Sequence, residues 1–371
     1  MRVYLVGGAL RDIALGRPVE EYDYAYFGDT SEFLRVFPNA QPVGRDFPIF
    51  IVKGREFAPG RGPDIESDLL ARDLTINALA LELTPGPDIG RRFAHPRALA
   101  DLLGRVLRPA SPRSLEEDPV RVFRAARFAA TLPDFSASQE LLDAMRVAAD
   151  SGSLANQTAE RVAGELLKAL RAPAPERFVE LLAAAGCLTP WFVELEGADA
   201  VPAGPPAYHE GSALAHTLTV MRRCSGSPLR AYMALCHDLG KVATPPELLP
   251  HHYKHEQRGE KLAERLGKRL KLPQRYIKAG RLAARLHMKA GCYEQLRPGT
   301  RVDLLMELHV ARLLEEMLDL VRADKGLGFH EQARAELALI LAVKLPEELQ
   351  DLGEESGRRL RELRCAALGL K

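Results

Sequence analysis

Glu21 and Asp23 stand two apart in VEEYDYAYFGD (19–29), and carboxylates at that spacing can hold a divalent cation. Tyr24, Tyr26 and Phe27 favour a β-strand, and in a strand positions i and i+2 share a face. Taken alone, the pair fits either a metal site or the solvated side of an edge strand. The stretch VGGALRD (6–12) bears on that choice, because it sets two glycines between a strand end and a helix start. Backbone N–H groups there can approach a phosphate, and the helix N-terminus adds positive potential. A phosphate cradle beside two same-face carboxylates suits metal-assisted nucleotidyl transfer. Magnesium takes its remaining ligands from water and substrate phosphates, lowers the pKa of an attacking hydroxyl and steadies a leaving pyrophosphate.

A second group of candidates lies later. ALAHTLTVM carries His216, LCHDLGK carries His237 and Asp238, and VRADKG carries Asp324. Imidazoles with carboxylates suit a divalent transition metal better than bare magnesium, and such a site is fitted to phosphoester hydrolysis. His252, His255 and His287 are further candidates, although HHYKH (251–255) reads as a polar loop.

The elements that must position these groups follow from patterning. A chain of 371 residues can bury two or three cores, and 46% hydrophobic with 27% charged residues is ordinary for a globular protein. The first hundred residues read as mixed α/β, with strands over 3–7, 22–27, 48–53 and 77–83 and a helix over 9–16 stopped by Gly16 and Pro18. From about Leu107 the texture becomes helical. EEDPVRVFRAARFAATL (116–132) predicts one helix with Pro119 in its first turn. Another helix begins at Thr158, an N-cap with Glu160 behind it. ADAVPAGPPAYHEGS (198–212) reads as a linker, a His-bearing helical segment follows, and a charged helix ends the chain.

A net charge of +1 neither demands nor excludes a nucleic-acid partner. From Lys261 to Lys289, however, ten Lys or Arg accompany a single acid, Glu264, which predicts either a polyanion-binding surface or a solvated helix face. Five scattered cysteines without a C-x-x-C pair argue against a zinc ribbon or disulfide framework and for a cytoplasmic setting. No apolar run has membrane-spanning length, so no membrane partner is expected.

The ordered motifs LVGGALRD, EEYDY, VGRDFPIF, ARDLTINALAL and EEDPVRVFRAARFAA resemble those of the tRNA nucleotidyltransferases, the class that also holds bacterial poly(A) polymerases. LCHDLGK extends the likeness to the branch with a C-terminal HD domain, over residues 1 to 330. The resemblance implies an α+β protein with a polymerase-β-like head of mixed sheet and flanking helices, followed by all-α neck, body and HD domain. The expected divisions are a head over 1–106, a neck and body over 107–200, an HD domain over 201–335 and a helical tail over 336–371. It also implies magnesium on Glu21 and Asp23, with the triphosphate on Gly8 and Arg11 and the nucleotide on Arg72. Asp118 and Arg121 match the family's amino-acid template for the base, with Arg124 and Arg127 on phosphates or in the same pocket. The three-residue spacing of 118, 121, 124 and 127 keeps them near one side of a helix. The carboxylate would accept from the amine of cytosine or adenine and the guanidinium would donate to the ring nitrogen, whereas uracil leaves both badly paired. In the HD segment His216, His237, Asp238 and Asp324 are implied ligands of a transition metal, with phosphatase and cyclic phosphodiesterase activity.

Two departures shape the expected activity. Glu21 stands where the family has aspartate, and between Arg61 and Arg72 only GPDIESDLLA occurs, where relatives that complete CCA carry a longer flexible loop. Relatives without that loop add two cytidines and stop. The expected partners are therefore the tRNA acceptor end and CTP, with no DNA. The alternatives are a complete CCA-adding enzyme using CTP and ATP, and an HD phosphohydrolase whose inactive head only grips RNA.

Overall fold

The computed structural model describes residues 1–43, 49–84, 86–206 and 211–369. Positions 44–48 of the VGRDFPIF motif and 207–210 of the expected linker lie outside them. The chain forms two compact units, Met1–Gln157 with Leu181–Cys187, and Thr158–Glu180 with Leu188–Lys371.

The first unit contains β1 (Arg2–Val6), α1 (Gly8–Ala14), β2 (Asp23–Phe27), α2 (Thr30–Val36), β3 (Gln41–Val43), β4 (Ile49–Val52) and β5 (Arg55–Pro59). It continues with α3 (Ile65–Leu70), β6 (Leu79–Glu82), β7 (Arg92–Ala94), α4 (Ala98–Gly104), β8 (Val106–Leu107), α5 (Ser114–Glu117), α6 (Val120–Thr131), β9 (Ser136–Ala137) and α7 (Gln139–Asp150). Seven strands make one mixed sheet in the order β3-β4-β5-β2-β1-β6-β7, in which only β2–β5 is parallel. Strand periodicity sends Tyr4 and Val6 to one face, with Ala25, Ala78, Ala80 and Ile65 and Leu69 of α3. Leu5 faces the other way, with Tyr24, Tyr26, Phe50, Phe57, Ala9 of α1 and Phe33 of α2. Cover on both faces explains why these strands read as nearly continuous apolar runs. The fold is α+β, as expected.

Two local expectations need correction. β2 begins at Asp23, so Glu21 precedes the strand, and both carboxylates are exposed. The helix expected over 116–132 is broken. α5 ends at Glu117, Asp118 is extended (φ −143°, ψ 92°), and Pro119 caps α6. A proline ring clashes with a helical residue before it, which forces Asp118 out of the helix that carries Arg121, Arg124 and Arg127.

The second unit is helical: α8 (Ala159–Ala169), capped as expected by the Thr158 side chain, the start of α9 (Glu176–Ala184, which belongs to the first unit from Leu181), α10 (Ala213–Arg223), α11 (Pro228–Cys236) and α12 (Leu239–Val242). α13 (His255–Arg269), α14 (Gln274–Gly291), α15 (Pro298–Ala311), α16 (Leu314–Lys325), α17 (His330–Ala342) and α18 (Glu354–Gly369) complete it. Leu229 and the run Ala231, Tyr232, Met233, Ala234, Leu235, Cys236 are all buried, so α11 is enclosed, packed by α10, α14 and α16. The basic stretch 261–289 lies on α13 and α14 and is largely ion-paired. Lys268 meets Glu264, Arg269 meets Glu194, Lys271 meets Glu160, Arg275 meets Glu316, and Arg281 and Arg285 meet Glu260. Among the described residues no helix is long and apolar enough to cross a membrane.

Candidate active sites

In the first unit Val6 pairs with Asp23, so the glycine turn leaving β1 starts where β2 begins. Gly7 has φ 78° and ψ −134°, a conformation open to glycine. A Cβ there would come 3.1 Å from Arg72 Nη1, which fixes how near that guanidinium lies. Asp68, one turn earlier, holds Arg72 through bonds of 2.9 Å and 2.7 Å. Arg11 of α1 is buried, donates to Asn77 Oδ1 at 2.7 Å, and lies 5.1 Å from the Phe128 ring. Arg127 lies 4.1 Å from the same ring. Asn77 in turn donates to Asp73 at 3.0 Å, and Asp73 meets Arg124 at 3.0 Å. Arg11 and Arg124 are thus joined through Asn77 and Asp73, with Arg11 and Arg127 sharing the Phe128 ring, while the Arg72 side chain is held separately by Asp68. Asp73 and Asn77 are two residues of the ARDLTINA motif not singled out from the sequence. Their four-residue spacing was the available signal.

Arg121 is used differently. It is buried, and its terminal nitrogens donate to the carbonyls of Ser114 (2.8 Å), Ala71 (2.8 Å) and Arg72 (3.4 Å). The side chain binds the turn before α5 to the segment after α3. Asp118 is half-buried in the break beside it.

Burial raises the Asp73 carboxyl, but Arg124, the Asn77 amide, the Leu74 N–H and Arg121 outweigh it and leave the pKa at about 2. The folded value lies below the unfolded one, so the stability Asp73 supplies is complete above about pH 4 and is lost as pH falls toward 2. Asp73→Asn is expected to destabilise the first unit at pH 7 by on the order of 2 kcal/mol. Urea unfolding at several pH values should show that gap closing below about pH 3.

In the second unit α11 delivers His237 and Asp238, both fully buried, and α10 brings His216 against them. His216 Nε2 lies 3.3 Å from His237 Nε2, 3.4 Å from Asp238 Oδ2 and 3.2 Å from Asp324 Oδ1. His237 Nε2 is 3.1 Å from Asp238 Oδ2. The four residues predicted from the sequence are therefore brought together. The ligand atoms of His216, His237 and Asp238 all lie within 4.8 Å of one another, a set that fits a single ion. Burial raises Asp324 and Asp238, but the facing imidazoles, and for Asp238 also Lys241, reverse it. Asp324 is left at about 2 and Asp238 well below the carboxylate range. Carboxylates held ionised in a buried pocket are what a cation requires.

The structure adds three residues here. Lys241 donates to Asp238 Oδ2 at 2.8 Å and to the Ala203 carbonyl at 2.7 Å. His255 and His287 are buried, with Nε2 atoms 3.5 Å and 3.4 Å from Asp238 Oδ1. His255 opens α13, which corrects the polar-loop reading of HHYKH at that residue. His252 accepts no such place and bonds Thr244 and the Pro202 carbonyl. The approach depends on Gly240, where a Cβ would lie 1.9 Å from the His255 carbonyl oxygen and 2.6 Å from the Gly259 nitrogen.

Residues 134–198 match the family model described as "Probable RNA and SrmB- binding site of polymerase A". The "Multifunctional CCA protein" of Verminephrobacter eiseniae is 37% identical, covering 90% of this chain and 87% of its own length. That of Pseudomonas aeruginosa (strain PAO1) is 35% identical, over 99% of this chain and 98% of its own. Among solved structures, a CCA-adding enzyme with CTP superposes with TM-score 0.65 at 21% identity, covering 99% of this chain and 87% of that one. The Thermotoga maritima CCA-adding enzyme complexed with tRNA does so with TM-score 0.62 at 21% identity, covering 100% and 88%.

Proposed function

The chain belongs to the tRNA nucleotidyltransferase family, and from that premise we propose that it adds CMP twice to the tRNA 3′ end and stops. The head over 1–106 performs the transfer, with the 107–200 segment holding the nucleotide. The HD domain over 201–335 adds a phosphohydrolase, and the tail spans 336–371. The tRNA terminal hydroxyl oxygen bonds to the α-phosphorus of CTP and the α–β phosphoanhydride bond breaks. Pyrophosphate leaves and the hydroxyl proton passes to solvent. Magnesium on Glu21 and Asp23 would supply the charge that activates the hydroxyl and steadies pyrophosphate. Asp23, paired with Val6 where the glycine turn begins, and Glu21 two residues before it are exposed carboxylates, the ligand type magnesium takes. Gly8, Arg11 and Arg72 would orient the triphosphate, Asp118 with Arg121 would select the base, and Arg124 and Arg127 would lie on phosphates or in the same pocket. Arg121 is committed to the backbone carbonyls of Ser114, Ala71 and Arg72, so its part in base selection would need those bonds to rearrange.

The stopping point rests on the segment after Arg61. It is a short capped helix, with Asp64 accepting from the Ser67 N–H, and Arg61 bound to Asp68 and to the Ala71 carbonyl. That leaves no long loop to re-aim the template. The names of the relatives favour a second reading, addition of all three nucleotides. Purified protein given a tRNA that ends at its discriminator base should lengthen it by two with CTP alone. A addition onto a tRNA ending in CC should be slower by roughly 10²-fold or more. Efficient A addition on a sizing gel would establish the second reading instead. In the HD domain His216, His237, Asp238 and Asp324 would hold a divalent transition metal, whose charge would activate water toward phosphomonoesters and cyclic phosphodiesters.

A further inference from the structure

We propose that a cavity between α10, α11 and α16 binds a phosphate group, free or on a small ester, at a site separate from both reaction centres. The cavity has a volume of about 390 Å³ and is lined by Arg223, Cys224, Arg230, Asp319, Arg322 and Ala323. Three guanidiniums therefore meet one carboxylate. Asp319 Oδ2 pairs with Arg230 Nη1, while Oδ1 accepts from Arg322 Nη2 at 2.6 Å and lies 3.1 Å from His330 Nε2. Burial raises the Asp319 carboxyl, but Arg230, His330 and Arg322 outweigh it and hold it ionised. Burial pushes the Cys224 thiol up to about 12, so it stays neutral and adds no negative charge. One acid cannot answer all three cations, and donors are left over. Among the described residues Arg223 has no carboxylate partner, and its guanidinium gives one bond, to the Ala323 carbonyl at 2.8 Å. Arg230 Nε is buried with no acceptor. A buried donor left unpaired is costly until an acceptor enters.

An anion with several acceptor oxygens meets both deficits. Three guanidiniums against one carboxylate leave two positive charges uncompensated, which a phosphate dianion matches and a carboxylate ligand does not. Guanidiniums also pair with phosphate through two parallel N–H···O bonds, a geometry that an ammonium lacks. No aromatic ring is among the described residues that line the cavity, and its uncharged walls are Cys224 and Ala323. A nucleobase has no ring to stack on there, so recognition rests on the phosphate. The position of the cavity gives binding a consequence. α10 also carries His216, α11 leads into His237 and Asp238, and α16 carries Asp324. A phosphate bonded to Arg223, Arg230 and Arg322 joins the three helices that assemble that cluster, and so stabilises the second unit.

The test uses the full chain in EDTA, so that no metal holds phosphate, at constant ionic strength. Inorganic phosphate and ribose 5-phosphate are the probes, measured by equilibrium dialysis. Arg223→Gln with Arg322→Gln should weaken binding by about 10-fold or more, the equivalent of a lost charge-assisted bond. Both side chains are exposed, so their loss removes no packed contact and circular dichroism should not change. Arg223→Lys with Arg322→Lys, which keeps the charge, should recover part of the affinity. Arg72→Gln, in the first unit, should leave it unchanged. Tighter binding of ribose 5-phosphate assigns the site to an ester and tighter binding of inorganic phosphate to the free ion, and either supports it. Affinity unchanged in the double glutamine variant, affinity abolished by Arg72→Gln, or no saturable binding in the parent overturns the site. Each of those results leaves the transferase and phosphohydrolase readings standing.

Discussion

Asp23→Ala is expected to lower CMP incorporation by at least about 10³-fold, the rate equivalent of the several kcal/mol that a catalytic metal charge supplies. The substitution isolates chemistry from folding because Asp23 is exposed at the end of β2, while the residues that pack that strand, Tyr24, Ala25 and Tyr26, remain. Affinity for tRNA should stay within about twofold, the range of a surface change that removes no packed contact. Glu21→Asp should keep or raise the rate, since the shorter carboxylate has the same charge and ligand type. Single-turnover incorporation and filter binding on the same preparations check both halves. Wild-type rates in Glu21→Ala would show that the exposed pair is not the metal site.

His237→Ala is expected to remove metal-dependent hydrolysis of p-nitrophenyl phosphate by roughly 10³-fold while CMP addition stays within about twofold. The ligand sets are disjoint. The partners of His237 and Asp238 named above lie in the second unit, and Asp23, Arg11 and Arg72 all lie in the first. His237→Gln is the milder companion, because its amide fills much of the ring's volume without the same lone pair. Equal loss of both activities in a variant with unchanged circular dichroism would argue against two independent centres.

Local chemistry was legible in the sequence where neighbours in the chain are neighbours in space. The alternation of β1, the glycine turn, the start of β2 near Asp23 and the Thr158 cap all follow from adjacent residues. The break at Asp118 was also local. It follows from the rule for residues before proline, which competes with the favourable place of proline in a first helical turn. His255 and His287 were a different problem. They are 32 residues apart and meet because α13 packs on α14, with a glycine on α12 letting Asp238 approach. The ion pairing of the basic stretch was hidden for the same reason, since Glu160, Glu194 and Glu316 lie far along the chain from the cations they meet. Arg121 reads as one of a row of ligand-facing arginines until the carbonyls of Ala71, Arg72 and Ser114 are seen to need a donor.

The position of β1 also sets the order in which the protein can be completed as it is made. β1 leaves the ribosome before both of the strands it stands between, β2 and β6. One edge is satisfied within a few dozen residues, but the other waits for Leu79–Glu82. At roughly 5–20 residues per second, translation leaves that edge of the nascent strand bare for on the order of 4 to 15 seconds. During that time its N–H and C=O groups are open to any extended segment nearby. The cost of placing β1 inside the sheet is thus borne by the growing chain, since the finished sheet pairs both of its edges.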